Sequence, residues 1–285
     1  KWTQLAAEQG HAKAQYNMAW FYDEGEVVPE DIQEAMRWLR LASQQGLAEA
    51  MDILGYIYDV GRDVEENNRE AVKWYRAAAE LGYAKAQANL ADMYQNGEGV
   101  ELDYQEALKW NRRAAEQGDM YGQHNLAHMY YFGHGISKDY QIAFRCTKLA
   151  AGQGLAAAQY NLGILYDLGE GAPEDNAKAV KWYLLAAGQG HVKAQSVLGQ
   201  MYYDGEGVEL SLHDSIRWFR EAAEQGHAES QFQLSLIIST QYDTQITDEL
   251  AAFWMQCAAD RGHVRAKQIL EGLPSPYESD RMVDA

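Results

Sequence analysis

The segment YAKAQANLADMYQNGEGVELDYQEALKWNRRAAEQG, from Tyr83 to Gly118, holds one complete copy of a pattern that recurs along the chain. The apolar residues of its first half are Ala86, Leu90, Met93 and Tyr94. Their positions i, i+4, i+7 and i+8 lie on one face of an α-helix. We therefore predict a helix over residues 84–96 that buries this face.

A glycine turn separates this helix from a second one. The residues Asn96-Gly97-Glu98-Gly99 end the first helix, because glycine readily adopts the left-handed backbone that follows a helix end. We predict Asp103 as the N-cap of the second helix. The second helix buries a stripe of Ala107, Trp110 and Ala114. The corresponding N-cap positions elsewhere are Asp31, Asn67, Asp139, Asp175, Ser211 and Thr247.

Tryptophan and glycine both recur with a period of 36 residues. The tryptophans are Trp2, Trp38, Trp74, Trp110, Trp182, Trp218 and Trp254, with Cys146 in the remaining position. The glycines eight residues later are Gly10, Gly46, Gly82, Gly118, Gly154, Gly190, Gly226 and Gly262. One helix pair has too little apolar surface to fold alone, whereas stacked pairs bury a continuous core. The period predicts an all-α fold, a right-handed α-α superhelix (solenoid) of about seven 36-residue helix-pair repeats.

The same period sets the predicted domain organisation. We expect a single solenoid over residues 1–272, with partial units at both ends. Its complete units are 11–46, 47–82, 83–118, 119–154, 155–190, 191–226 and 227–262. In the last of them Gln241, Asp243 and Thr244 replace the glycine turn, as is typical of a terminal repeat. Residues 273–285 contain two prolines, which cannot continue the helix, so we predict a C-terminal tail.

The charge balance restricts the kinds of partner. The 285 residues include 42 acidic and 24 basic side chains, which gives a net charge of −18. Binding to nucleic acid or to an anionic membrane surface requires an excess of basic residues, so both are disfavoured. No apolar run approaches the roughly 18 residues of a membrane-spanning helix. We expect a soluble protein without direct membrane insertion.

The repeat also carries a specific motif, A-x-x-x-L-G-x-x-Y-x-x-G-x-G followed by D-x-x-x-A-x-x-W-Y-x-x-A-A-x-x-G. One copy consists of Ala158, Leu162, Gly163, Tyr166, Gly169, Gly171, Asp175, Ala179, Trp182, Tyr183, Ala186, Ala187 and Gly190. From Lys1 to about Gly272 the chain resembles the Sel1-like repeat family, a relative of the tetratricopeptide repeat. The resemblance implies a scaffold or adaptor that binds other proteins. Because the chain starts at Lys1 rather than methionine, we expect that an N-terminal targeting segment is missing. The bacterial periplasm or envelope and the cytoplasm both stay open as its compartment.

If the repeats pack as tetratricopeptide repeats do, their first helices line the concave side. The positions 6, 10 and 13 residues after each repeat glycine then form what we call the first-helix strip. The predicted partner-binding residues of this strip are Tyr16, Trp20, Asp23, Asp52, Tyr56, Asp59, Asp92, His124, His128, Tyr131, Tyr160, Asp167 and Tyr203. Grouped aromatic side chains indicate an interface, and interleaved carboxylates favour a partner with a basic segment.

Two other interpretations of these residues stay open. Several of the tyrosines could pack sideways against the next repeat instead of meeting a partner. Lys13 with Asn17 and Lys85 with Asn89 have i, i+4 spacing, which is similar to the carboxylate clamp of some tetratricopeptide domains. The overall acidity of the chain opposes such an acidic ligand, so we favour lysines in solvent and asparagines bonded to the neighbouring helix.

The sequence shows no combination of residues that predicts an enzyme. His124 and His128 lie one turn apart and His134 follows, but zinc needs three or four ligands and no further candidate is near in sequence. We predict no catalytic residue, no cofactor and no metal. The predicted function is a non-enzymatic protein-interaction scaffold, with an inhibitor or immunity protein of a toxin or enzyme as its specific form. The alternative is a bacterial envelope protein whose aromatic strip binds cell-wall glycan; the oligomeric state stays open.

Overall fold

The computed structural model describes residues 1–241 and 245–272, apart from the side chains of residues 241 and 245–247. Within these residues it contains sixteen α-helices and no β-strand. The predicted all-α fold of repeated helix pairs is confirmed. The predicted turn at Asp243 and Thr244, the Thr247 cap and the tail over residues 273–285 lie outside the described residues.

First and second helices of the repeats alternate along the chain. The first helices are α2 (Ala12–Glu24), α4 (Ala48–Val60), α6 (Ala84–Asn96), α8 (Met120–Phe132), α10 (Ala156–Asp167), α12 (Val192–Asp204), α14 (Ala228–Gln241) and α16 (Val264–Leu270). The second helices are α1 (Trp2–Glu8), α3 (Ile32–Gln44), α5 (Asn68–Glu80), α7 (Tyr104–Glu116), α9 (Tyr140–Gly152), α11 (Asn176–Gly188), α13 (Leu212–Glu224) and α15 (Gln245–Asp260). None of the described helices is both long and apolar enough to cross a lipid bilayer.

The helices form two compact units, residues 1–150 and the residues from 151 onward. In the first unit each helix from α1 to α8 packs against the next one, and Leu90 is among the residues fully buried between them. In the second unit the helices from α10 to α16 pack in the same sequential way, with Leu198 fully buried. Each unit thus has its own apolar core, built from neighbouring repeats. The single domain over residues 1–272 stays a prediction.

The helix ends follow the predicted signals. The helix expected over residues 84–96 is α6, and Gly97 follows it with a left-handed φ of 75°. The Asp103 carboxylate accepts hydrogen bonds from the backbone N–H groups of Gln105 and Glu106, at 2.8 and 3.1 Å. The same capping role is confirmed for Asp31, Asn67, Asp139, Asp175 and Ser211. Local capping chemistry therefore determines where the second helices begin.

The two helices of a pair approach most closely at a small residue of the first helix. A Cβ atom added to Gly163 would lie 2.4 Å from the ring of Tyr183, which is buried against it. The same glycine–ring contact joins Gly55 with Tyr75 and Gly199 with Phe219. Where alanine stands instead, at Ala19, Ala91 and Ala127, the residues 20 positions later are Leu39, Asn111 and Thr147. Glycine therefore occurs at the three positions where the second helix supplies an aromatic ring, and its missing side chain permits the close approach.

Buried glutamines provide a further link between neighbouring repeats. Near the start of a first helix, the glutamine Nε2 donates to a backbone carbonyl eight residues earlier, in the preceding second helix. The glutamines that do so are Gln15, Gln87, Gln159, Gln195 and Gln231. Four of their Oε1 atoms accept a hydrogen bond from another glutamine 30 residues later, namely from Gln45, Gln117, Gln189 and Gln225. This ladder satisfies buried polar groups and joins three successive helices, and sequence periodicity alone does not predict its partners.

Substitution of Gly163 by alanine tests the close helix approach. Gly163→Ala should lower the free energy of unfolding by about 1–3 kcal/mol, because the added methyl group collides with the Tyr183 ring. Gly188→Ala is the matched control, since a Cβ atom there meets no atom within 4 Å. The control should be neutral or stabilising by about 0.5–1 kcal/mol, because glycine is unfavourable in a helix. Urea denaturation followed by circular dichroism measures both, and equal effects would contradict the contact.

Substitution of Gln87 by leucine tests the glutamine ladder. Gln87→Leu removes one hydrogen bond to the Ala79 carbonyl, which also accepts from Gly82, and one from the Gln117 amide, which also donates to Arg113. It should therefore cost about 1 kcal/mol of stability. Gln33→Leu, at an exposed position of α3, serves as the control and should change stability by less than about 0.5 kcal/mol. The ladder has no energetic role if the two variants unfold at the same urea concentration.

Candidate partner-binding site

The first helices carry the predicted strip residues, and the structure gives these residues very different environments. In the first unit Trp20 and Tyr56 are 47% and 50% exposed. In the second unit Tyr203 is similarly exposed, at 47%. These rings offer large apolar surfaces to solvent on the first-helix strip, as expected of a contact surface.

A small pocket opens on the strip in the first unit. It has a volume of about 30 Å³, enough for roughly one methyl group or one water molecule. Strip residues form part of its lining, and apolar side chains of α3 and α4 complete it. The lining residues are Tyr16, Ala19, Trp20, Asp23, Ala35, Leu39, Ile53 and Ile57. The strip thus combines exposed aromatic surface with an apolar depression.

Two of the predicted aspartates are already paired within the chain. The Asp23 carboxylate lies 2.9 Å from Nη1 of Arg62. Asp52 is only 2% exposed, and its carboxylate lies 3.5 Å from Nζ of Lys85 and accepts a hydrogen bond from Asn89 at 2.9 Å. Lys85 and Asn89, which the sequence relates to a carboxylate clamp, therefore hold a carboxylate of their own chain. Asn89 bonds the neighbouring first helix as expected, whereas Lys85, expected in solvent only, also pairs with Asp52. The Asp52 carboxylate is therefore not offered to a partner.

Asp59 and Asp92 differ from the paired aspartates. Neither takes part in a salt bridge within residues 1–241 and 245–272. Partial burial raises the pKa of Asp59, and the negative charge of Glu66 raises it further. Limited solvation raises the pKa of Asp92 as well, with a contribution from Asp59. The pKa of Glu98 is raised by the same two causes, burial and neighbouring carboxylates. This part of the strip has unbalanced negative charge and would gain from a cation.

Tyrosine hydroxyl groups from the second helices hold two strip aspartates. The hydroxyl of Tyr75 donates to Asp59 at 3.1 Å. In the second unit the hydroxyl of Tyr183 bonds Asp167 in the same way, and this bond lowers the pKa of a carboxyl that burial otherwise raises. Burial and the adjacent carboxylate raise the pKa of both tyrosines, so both hydroxyls keep their protons. The two tyrosine rings pass Gly55 and Gly163 on their way to the strip. The glycine–ring contact in the core therefore also positions the two aspartates that the tyrosine hydroxyls bond.

Of the two predicted histidines, His128 lies in an aromatic cluster at the end of α8. The His128 ring centroid lies 4.4 Å from that of Phe132 and 5.6 Å from that of His134. Burial lowers the pKa of His124 and of His128, and each is lowered further by the next histidine, so both are uncharged at pH 7. In the described part of the chain no three His, Cys, Asp or Glu side chains are placed to hold a metal ion. These histidines contribute ring surface to the strip.

Tyr131 and Tyr160 contact other aromatic rings. The Tyr160 ring stacks on His191, with centroids 4.6 Å apart, and lies 5.7 Å from Tyr183. The Tyr131 ring makes an edge contact with Tyr140 at 5.3 Å. Sideways packing therefore accounts for much of the surface of Tyr160. The aromatic residues of the strip that are free to meet a partner are mainly the three exposed rings described above.

The chain was compared with known families and structures. The model of the Sel1 repeat family matches eight segments that together cover nearly all of residues 1–263. The matched segments are 1–11, 12–47, 48–83, 84–119, 121–155, 156–191, 192–227 and 228–263. These boundaries lie within one or two residues of the units that the period of 36 predicts. A comparison with curated proteins gave no significant match.

Two solved structures are similar in both sequence and fold. A protective antigen from uropathogenic Escherichia coli strains, which displays an SLR fold, is 35% identical with a TM-score of 0.83, over 94% of this chain and 57% of that one. The chain thus spans little more than half the length of the Escherichia coli protein. A Sel1 repeat protein from Oxalobacter formigenes is 31% identical with a TM-score of 0.76, over 88% of this chain and 100% of that one. On this sequence and structural similarity, the chain belongs to the Sel1 repeat family.

Proposed function

We propose that this chain is a non-enzymatic scaffold or adaptor that binds a protein partner through its first-helix strip. Sel1 repeat proteins generally mediate protein–protein interactions. The observation that carries the proposal lies in the first unit. There Trp20 and Tyr56 expose half of their surface, while the Asp59 and Asp92 carboxylates lack a cation among the described residues. Tryptophan and tyrosine are among the residues enriched in interface hot spots.

The size of the strip pocket favours a protein over a small molecule. A site for a small ligand usually encloses about 300–1,000 Å³. The strip pocket has a volume of about 30 Å³ and accepts only the tip of a side chain. A macromolecular partner could place an apolar group there and still contact the exposed Tyr56 ring on the next first helix. The Sel1 repeat fold is generally a non-enzymatic interaction fold, which agrees with this assignment.

The carboxylates of Asp59 and Asp92, which form no salt bridge among the described residues, favour a basic segment in the partner. Burial raises the pKa of Asp59 and of Asp92, and a neighbouring carboxylate raises each further, Glu66 for Asp59 and Asp59 for Asp92. A nearby lysine or arginine would offset both effects. Asp23 and Asp52 already have cationic partners, so we assign the partner's cation to the Asp59–Asp92 part of the strip. The net charge of −18 would also accelerate association with a basic protein. An inhibitor or immunity protein is a specific form of this proposal, and the charge is the observation that supports it.

Cell-wall glycan is a second candidate ligand. The exposed faces of Trp20 and Tyr56 support it, because sugars stack on aromatic rings. A neutral sugar would leave the Asp59 and Asp92 carboxylates unbalanced, which is why we rank it second. Retention of the chain on purified peptidoglycan, combined with no protein partner, would favour this candidate.

Cross-linking from the strip tests the proposed function. With a photoreactive p-benzoylphenylalanine in place of Tyr56, the chain should cross-link a stoichiometric protein in extracts of its native host. The double variant Trp20→Ala, Tyr56→Ala should bind that protein at least tenfold more weakly while keeping its helicity. Position 121 provides the matched control for both, because Tyr121 is 45% exposed but lies off the strip. Equal cross-linking from both positions, or unchanged affinity of the double variant, would remove the proposal.

The pH dependence of binding tests the charge of the partner. Both aspartates have raised pKa values, so they should begin to lose their charge at a pH higher than is usual for aspartate. Affinity for the captured partner should therefore fall as the pH is lowered from 7 towards the ordinary aspartate pKa near 3.8. The double variant Asp59→Asn, Asp92→Asn should bind more weakly at pH 7 and depend less on pH.

A second double variant controls for net charge. Glu80→Gln with Glu116→Gln removes two charges from exposed second-helix positions of the same unit. This variant should keep the affinity and the pH dependence of the original chain. If both double variants behave alike in isothermal titration calorimetry, the effect comes from overall charge, and the assignment to the strip is wrong.

A further inference from the structure

In the second unit, Arg220 lacks, among the described residues, the hydrogen-bond partner that arginines at the same repeat position have in the first unit. In the first unit three arginines at this position of the second helices each donate to a tyrosine hydroxyl 18 residues later. The pairs are Arg40 with Tyr58 at 2.9 Å, Arg76 with Tyr94 at 2.7 Å and Arg112 with Tyr130 at 3.0 Å. Arg220 occupies the same position, but the residue 18 places later is Ile238. Among the described residues Arg220 has no hydrogen bond and no ion pair.

Near Arg220, helix α15 also carries apolar residues at two positions where other second helices carry charged ones. Four other second helices have an acidic residue near their start that pairs with a basic residue three positions later: Glu34–Arg37, Glu70–Lys73, Glu106–Lys109 and Asp214–Arg217. At the corresponding positions α15 carries Leu250 and Phe253, which are 41% and 56% exposed. An ion pair of the repeat is thus replaced by two apolar side chains in solvent. Exposed apolar side chains of this size, grouped together, mark an interaction surface.

Three of these positions, Arg220, Ile238 and Leu250, line one groove between α13, α14 and α15. The groove has a volume of about 590 Å³ and is lined by Leu212, His213, Ile216, Arg217, Arg220, Ile238 and Leu250. Arg217 is partly occupied, because it lies 3.9 Å from both Asp214 and Glu221 and stacks over Trp218. Leu212, Ile216, Ile238 and Leu250 form the apolar part of the lining, and Arg220 is its one arginine without an ion pair among the described residues.

We propose that this groove binds an acidic, amphipathic segment of a protein partner. A glutamate or aspartate carboxylate would accept hydrogen bonds from Arg220, because a guanidinium offers paired donors that match a carboxylate. A leucine or phenylalanine beside it would pack on Ile216, Ile238 and Leu250. A free inorganic anion could use the guanidinium but not the apolar walls, whereas this segment uses both. The chain as a whole is acidic, but the described lining of this groove holds two arginines and no carboxylate, so the attraction to an acidic segment is local. The site is separate from the first-helix strip and selects the opposite charge, so either proposal can fail without the other.

Binding of a labelled peptide tests this site on the full chain. The probe is fluorescein-labelled Leu-Glu-Glu-Phe-Leu-Glu-Leu with a C-terminal amide, and the comparison peptide has glutamine at each glutamate. Fluorescence anisotropy should show at least tenfold tighter binding of the acidic peptide. Arg220→Gln should remove this preference through about a tenfold loss of affinity, the size expected for one charge-assisted pair. Absence of binding, or equal binding of the two peptides, would overturn the proposal.

Two further variants make the result specific to the groove. Ile238→Tyr restores the residue of the earlier repeats, so its hydroxyl should engage Arg220, its ring should fill the groove, and the acidic peptide should bind about tenfold more weakly. Arg112→Gln removes an equivalent arginine from the first unit and should leave peptide binding unchanged. Circular dichroism melts of all variants establish that they are folded. An equal loss in Arg112→Gln and Arg220→Gln would contradict the assignment.

Discussion

The distance between the two helices of a repeat depends on the contact of one small side chain with one larger partner. Glycine at positions 55, 163 and 199 leaves room for the ring of Tyr75, Tyr183 or Phe219, and dense packing leaves no space for a further methyl group. The same contact extends to the surface, because the Tyr75 hydroxyl continues past Gly55 to the carboxylate of Asp59. Core packing and the geometry of the candidate site are therefore one arrangement, and a change in one will alter the other.

The aspartates of the first-helix strip show how environment divides residues that look alike in sequence. Asp52 is buried and held by Lys85 and Asn89, so it acts inside the protein as a link between neighbouring repeats. Asp59 and Asp92 have neighbours of their own charge and raised pKa values. Aspartates at different positions of the repeat thus serve either the framework or the candidate binding surface, according to the side chains around them.

Much of the fold could be predicted from the sequence, because its signals are local or periodic. The bounds of α6 and the caps such as Asp103 follow from spacing and from the chemistry of single residues. The candidate site was less predictable, since its state depends on which side chains meet across repeats. The burial of Asp52 follows from its packing against the next repeat, which spacing along one helix does not reveal. Ile238 stands in the sequence where earlier repeats have the tyrosine that bonds the arginine, so it indicates that Arg220 lacks this partner. That inference requires the Arg–Tyr hydrogen bonds, which only the structure reveals.

The glycine–ring pairs have a consequence for how such arrays can be cut and recombined. The two members lie on opposite sides of the glycine turn, so a junction within that turn would combine a first helix with an unmatched second helix. A junction at the repeat glycine, such as Gly82, keeps each pair intact. The Gln87 bond that spans this junction ends on the backbone carbonyl of residue 79, which any amino acid supplies. Repeats exchanged at the repeat glycine therefore keep the glutamine ladder whatever residue stands at the position of Ala79. The repeat glycine is the natural boundary for building chimeric arrays.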